Sequence, residues 1–186
     1  MSGDKDIQFT VPKVTFKTRV KDETIEGENP YKWQDVECRE LFKNKKCLVV
    51  ALPGAFTPTC TTKQLPGFEE KYDEFKKLGV DEIYCLSVND AFVMHKWAES
   101  LNIKKVKMLP DGNGHFTRQM GMLVEKQNLG FGLRSWRYVA LINNNAITTL
   151  WIENGIEDNK EGDPYEISTP QNILNWFIQQ KMRTEV

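Results

Sequence analysis

Apolar positions along the chain fall into short runs with two periods, one near 2 and one near 3.6, and polar turns separate them. Val14-Thr-Phe-Lys-Thr-Arg-Val20 alternates as a strand does, and the polar stretch from Lys21 to Pro30, carrying Gly27, reads as a loop. Cys47-Leu-Val-Val-Ala-Leu52 is apolar throughout and stops at Pro53-Gly54, which predicts a central strand covered on both faces. A helix start follows: Thr57 suits the N-cap and Pro58 the first helical position. Leu65, Phe68, Tyr72 and Phe75 then recur at helical spacing, with Pro66 expected to kink the helix and Gly79 to end it. Ile83 to Val88 supplies a second buried strand, and Asn89 or Asp90 caps a helix that carries Val93, Trp97 and Leu101 on one side.

Val106 to Leu109 reads as a short strand ended by the turn-rich Pro110-Asp-Gly-Asn-Gly114, with one or two helical turns over 116–120. Tyr138–Ile142 and Ala146–Ile152 are β-rich and flank Asn143-Asn-Asn145, so an antiparallel hairpin is predicted, joined by a three-residue turn. The acidic, glycine-containing stretch 153–166 reads as a surface loop, and Thr169-Pro170 begins a last helix expected to turn Leu174, Phe177 and Ile178 inward. Successive βα units followed by a hairpin and a helix imply a single domain over residues 1–186. Its class is α/β, a thioredoxin-like fold with a mixed central sheet and helices on both faces.

With 186 residues and 40% hydrophobic content, the chain can bury one substantial core. Lys and Arg total 25 against 26 Asp and Glu, so no global field draws nucleic acid or an anionic membrane. The polar N-terminus and the lack of any apolar run near the roughly 18 residues of a membrane span imply no secretory signal, no membrane partner and a cytoplasmic location. Only two histidines occur, His95 and His115, so a histidine-rich metal site is not expected, and no cofactor is called for. Gly130-Phe-Gly132 and Asp111-Gly-Asn-Gly114 lack the Lys-Ser pair of a phosphate loop. The four cysteines, at 38, 47, 60 and 85, form no C-x-x-C pair, which argues against zinc and dithiol chemistry and for reduced thiols.

Chemistry concentrates in Pro53-Gly-Ala-Phe-Thr-Pro-Thr-Cys60, which places a thiol in the first turn of a helix just past a buried strand. The orphan N–H groups and the dipole at such a position favour thiolate over thiol. Thr57, three residues earlier, can turn its hydroxyl toward the sulfur, and Pro53 can wall off solvent. On spacing alone, a helix cap beside an inert buried cysteine explains the same residues nearly as well. The octapeptide, with Leu65-Pro-Gly-Phe68, Ser87-Val-Asn-Asp90, Asp111-Gly-Asn-Gly114, Gly121-Met-Leu-Val124 and Ser135-Trp-Arg-Tyr138, resembles the type II, or atypical, peroxiredoxins over roughly residues 12–180. The resemblance implies that Cys60 is the peroxidatic cysteine, Thr57 the threonine that bonds peroxide and thiolate, Pro53 the shielding proline and Arg137 the active-site arginine. Gly54 and Phe131 are expected to line the substrate pocket near Arg137.

The reaction so implied is attack by the Cys60 thiolate on hydrogen peroxide or a small alkyl hydroperoxide, leaving a sulfenic acid. Some relatives carry a resolving cysteine near the C-terminus, but Gly162 to Ser168 contains none. Cys85 is the remaining candidate for resolution; inside the apolar run Ile83–Val88 it reads instead as a buried structural thiol, as do Cys38 and Cys47 before the active site. The resemblance is to enzymes reduced by glutathione and glutaredoxin, with thioredoxin as the alternative reductant, and it implies a homodimer. The rival readings are a peroxide-sensing redox switch or chaperone-like binding protein, and a thiol-disulfide oxidoreductase, which the missing C-x-x-C disfavours.

Overall fold

The apolar run at 47–52 becomes the middle of the sheet, as its lack of any polar face requires. In the computed structural model, which describes residues 9–185, the chain runs through β1 (Phe9–Thr10), β2 (Thr15–Lys21), β3 (Tyr31–Glu37), α1 (Cys38–Leu41) and β4 (Lys46–Ala51). A wide π-type turn (Cys60–Gln64) leads into α2 (Leu65–Glu70) and α3 (Tyr72–Lys77), followed by β5 (Glu82–Ser87), α4 (Ala91–Ser100), β6 (Lys107–Pro110) and α5 (His115–Gln119). Then come β7 (Leu123–Glu125), a 3-10 turn (Gln127–Leu129), β8 (Leu133–Ser135), β9 (Tyr138–Asn143), β10 (Ala146–Ile152) and α6 (Pro170–Thr184).

Six strands form one sheet in the order β1-β10-β9-β4-β5-β6, with β4, β5 and β6 parallel and β9 antiparallel to both β4 and β10. The sheet is thus mixed, as the element order predicts. Alternation along β4 splits the core in two: Leu48 and Val50 face Phe68, Phe75, Trp97, Leu174 and Phe177, which come from α2, α3, α4 and α6. Cys47, Val49 and Ala51 face the other way, toward Phe16, Cys38, Phe42, Phe116 and Trp136. Each large side chain so buried contributes about 1.5–3 kcal/mol.

Several boundaries differ from the sequence expectations, for identifiable reasons. The β2–β3 hairpin has no apolar signal in its second strand, because β3 is largely exposed and holds by cross-strand pairs: Lys17 to Asp35 at 2.7 Å, and Arg19 over the rings of Tyr31 and Trp33. The β9–β10 turn uses two residues rather than three, Asn144 and Asn145, both at positive φ, which suits the strand twist. The helix after Cys60 is not one kinked helix but a wide turn and two short helices. Pro66 has no N–H to offer Thr62, and the Leu65 N–H reaches back five residues to the Cys60 carbonyl. On α6, Ile173, Leu174 and Phe177 point inward, whereas Ile178 is exposed at the edge of that stripe. The β7–β8 hairpin, which carries Arg134, was not foreseen.

A single carboxylate ties α2 to the start of β6: Glu69 accepts the backbone N–H groups of Lys104, Lys105 and Val106 at 2.7, 2.9 and 2.8 Å. No helix among the described residues is long and apolar enough to cross a membrane.

Phe75 is fully buried between Phe68 and Phe177. Phe75→Ala is expected to lower stability by about 3–5 kcal/mol, read as a lower urea midpoint at unchanged slope.

Candidate active site

Sheet register brings the distant parts of the site together. Ala51 pairs with Tyr138, so the chain leaving β4 at Pro53 and the residue entering β9, Arg137, lie at the same end of neighbouring strands. The turn after Pro53 then lays Cys60 against Arg137, whose Nη2 donates to Cys60 Sγ at 3.4 Å. Both groups are buried, Cys60 completely and Arg137 to 2% exposure.

Arg137 uses all of its donors. Nε bonds Gln64 Oε1 at 2.8 Å; Nη1 bonds Asp163 Oδ1 at 2.6 Å and the Pro164 carbonyl at 2.8 Å; Nη2 bonds Asp163 Oδ2 at 3.0 Å besides the sulfur. These five bonds match the five N–H groups of a guanidinium. Burial opposes the charge of Arg137, but the Asp163 bonds and the neighbouring sulfur outweigh it and raise its pKa. Tyr165 lies with its ring centroid 5.5 Å from the guanidinium carbon.

A second arginine braces the loop before the thiol. Arg134 donates to the Pro53 carbonyl at 3.2 Å and to the Phe131 carbonyl at 3.1 Å, and its guanidinium carbon stands 5.3 Å from the Phe131 ring centroid. Asn89 Oδ1 accepts the Ala55 N–H at 3.0 Å and the Ser87 hydroxyl at 2.6 Å, fixing the same loop from β5. A Cβ on Gly54 would stand 2.5 Å from Arg134 Nη1, so the missing side chain is what lets Arg134 cross there.

The other thiols have no such partner. Burial pushes Cys38 and Cys47 up to about 12 and raises Cys85, which lies in β5, well above the ordinary thiol range. Cys60 contributes to the upward shift at Cys85, after burial, so the two sulfurs are electrostatic neighbours. Among the described residues, no group of three or more His, Cys, Asp or Glu side chains is placed to hold a metal ion.

Of the residues singled out from sequence, Cys60 contacts Arg137 and Pro53 lines the crevice over it, and two expectations are corrected. Thr57 precedes the helix as expected, but its hydroxyl donates to the Gly54 carbonyl at 2.7 Å instead of capping an N–H. The loop doubles back there, making that carbonyl the nearest acceptor. Phe131 belongs to Arg134 and not to Arg137. The crevice over Arg137 is lined by Pro53, Lys126, Trp136, Asp163 and Pro164. Sequence reasoning missed Gln64, Asn89, Lys126, Arg134 and Asp163. Gln64 could have been found four residues after Cys60, on the same helical face; Asp163 lies in an acidic loop where no carboxylate stands out.

Residues 12–165 match the family model described as Redoxin. The chain is 60% identical to a peroxiredoxin of Rhizobium etli over 164 residues, covering 88% of this chain and 92% of that one. It is 46% identical to the hybrid peroxiredoxin hyPrx5 of Haemophilus influenzae over 170 residues, 91% of this chain and 65% of that longer one. The crystal structure of the Plasmodium falciparum antioxidant protein, a 1-Cys peroxiredoxin, superimposes with a TM-score of 0.86 at 41% identity, covering 92% and 98% of the two chains. The thioredoxin-like fold and the thiol peroxidase activity expected from the sequence agree with these findings, and the chain belongs to the redoxin family as an atypical, Prx5-like peroxiredoxin.

Proposed function

We propose that Cys60 is the peroxidatic residue and that its thiolate attacks one oxygen of hydrogen peroxide or a small alkyl hydroperoxide in line with the O–O bond. The observation that carries this reading is the Arg137 donor on the Cys60 sulfur at 3.4 Å inside a buried site. An S–O bond forms as the O–O bond breaks. The sulfur loses two electrons and becomes a sulfenic acid, while the leaving oxygen takes the electron pair and a proton and departs as water or alcohol. Arg137 stabilises the thiolate and the charge growing on the leaving oxygen. Thr57, its own proton committed to Gly54, offers a lone pair to the peroxide O–H. Pro53 and Trp136 narrow the crevice, which favours small peroxides.

The cycle uses one cysteine. Glutathione condenses with the sulfenic acid, releasing water, and a second thiol, from glutathione or glutaredoxin, frees the Cys60 thiol; thioredoxin is the alternative donor. Cys85 is buried and protonated within β5, which supports a structural role. The four free cysteines suit the reducing cytoplasm. A homodimer is proposed through the loop before Cys60. Phe56 there is 55% exposed and held at a φ of 63°, a costly conformation for an aromatic residue.

Cys60→Ser is expected to abolish peroxide consumption. Cys85→Ser should leave turnover with glutathione and glutaredoxin unchanged; its loss, with the fold and the first oxidation intact, would overturn the one-cysteine cycle. Arg137→Met should lower the rate constant for Cys60 oxidation about 10²–10³-fold, and Arg137→Lys should restore little of it, because an ammonium lacks the fork of donors. Sedimentation should show a dimer for the wild type and a shift toward monomer for Phe56→Arg.

A further inference from the structure

Arg137 has no donor left for a substrate. Of its four partners, Gln64 is fully buried and fixed on the helix of Cys60, and the sulfur is the nucleophile itself. Pro164 contributes one carbonyl to Nη1. Asp163 alone takes a donor on each terminal nitrogen, and its side chain is 43% exposed, so it is the partner that solvent and substrate can reach.

The chain around Asp163 is anchored on both sides, and between the anchors Asp163 and Pro164 bond Arg137. Upstream, the Asn159 N–H donates to the Glu125 carbonyl at 2.7 Å, and Asn159 Oδ1 receives the Asn128 N–H at 3.1 Å. Downstream, the buried Glu153 carboxylate accepts the N–H groups of Glu166, Ile167 and Ser168 at 2.8–2.9 Å. Between these anchors Gly162 has a φ of 82° with open space around it. Lys126, buried to 5% exposure, lines the same crevice, where burial depresses its ammonium and the Asp163 charge opposes that depression. A carboxylate leaving Arg137 therefore meets another cation close by.

We infer that Asp163 is an internal competitor of the peroxide: its carboxylate occupies the Nη1 and Nη2 donors that the substrate must use, and it sets how readily peroxide reaches Cys60. The inference rests on the reading of Cys60 and Arg137 as the peroxide site. The closed pair keeps the guanidinium fully bonded in the absence of substrate. Peroxide binding exchanges the Asp163 oxygens for peroxide oxygens at the same nitrogens, while Gln64 keeps the guanidinium in place.

The test is single-turnover oxidation of the reduced full-length protein by hydrogen peroxide, followed by tryptophan fluorescence, for wild type, Asp163→Ala and Asp163→Asn. The second-order rate constant is expected to rise roughly fivefold in Asp163→Ala, the factor for releasing a partly exposed ion pair, with a smaller rise in Asp163→Asn. Added acetate should slow Asp163→Ala back toward the wild-type rate, competitively with peroxide, by refilling the vacated donors, and should leave the wild type unaffected at matched ionic strength. A merely structural role for Asp163 would produce no acetate dependence. If the wild type is oxidised but Asp163→Ala reacts no faster and ignores acetate, the inference falls alone. If peroxide leaves Cys60 of the wild type unoxidised while the thiol still alkylates, the peroxide-site reading falls and takes the inference with it.

Discussion

The contact on which the site depends is a guanidinium donor resting on a sulfur, both removed from water. Arg137 could not sit there unpaired without a large desolvation cost, because an isolated buried charge is expensive, and the Asp163 carboxylate and the Cys60 sulfur offset it. The β4–β9 register is what makes the contact available. A slip of one residue in that pairing would turn Arg137 to the opposite face of the sheet and leave Cys60 without a cation. The apolar run of β4 therefore does more than fill the core, since its burial on both faces fixes the register that places Arg137 beside Cys60.

The site is also notable for how completely it is satisfied. Five acceptors meet five donors on Arg137, and Arg134 and Asn89 hold the preceding loop by its backbone groups. One buried group stands outside this accounting: among the described residues, Gln64 Nε2 has no hydrogen-bond partner, although its sister oxygen holds Arg137. A buried amide in this state costs free energy, and it lies beside the Arg137 guanidinium.

How much of this was legible in the sequence follows from what each signal reports. Periodicity reports burial, so the strands at 47–52, 83–88 and 138–142 and the inward stripe of α6 could be read directly. β3 is held by pairing with β2 and not by burial, and its exposed alternation carries no apolar mark. Cys60 could be placed at a helix start from Pro58 and the apolar run before it. Local spacing does not mark Arg137 over Arg134, three residues away; family resemblance singled out Arg137, which the sheet register places beside Cys60. Asp163 was out of reach, because its contact with Arg137 comes from a loop distant in sequence and leaves no local pattern.

The Glu69 carboxylate sets a boundary to the chain around Cys60. Cys60 is sealed from solvent, so a reagent of any bulk can reach its sulfur only after the surrounding chain loosens. With three amides of the segment before β6 gripped by Glu69, unravelling beyond Leu65 would strip an edge strand of its support as well as melt a helix. The wide turn over 60–64, already short of regular bonding and closed off by a proline, is the weaker link. The wide turn, and not the sheet beneath it, is therefore the part of the structure whose loosening would uncover Cys60.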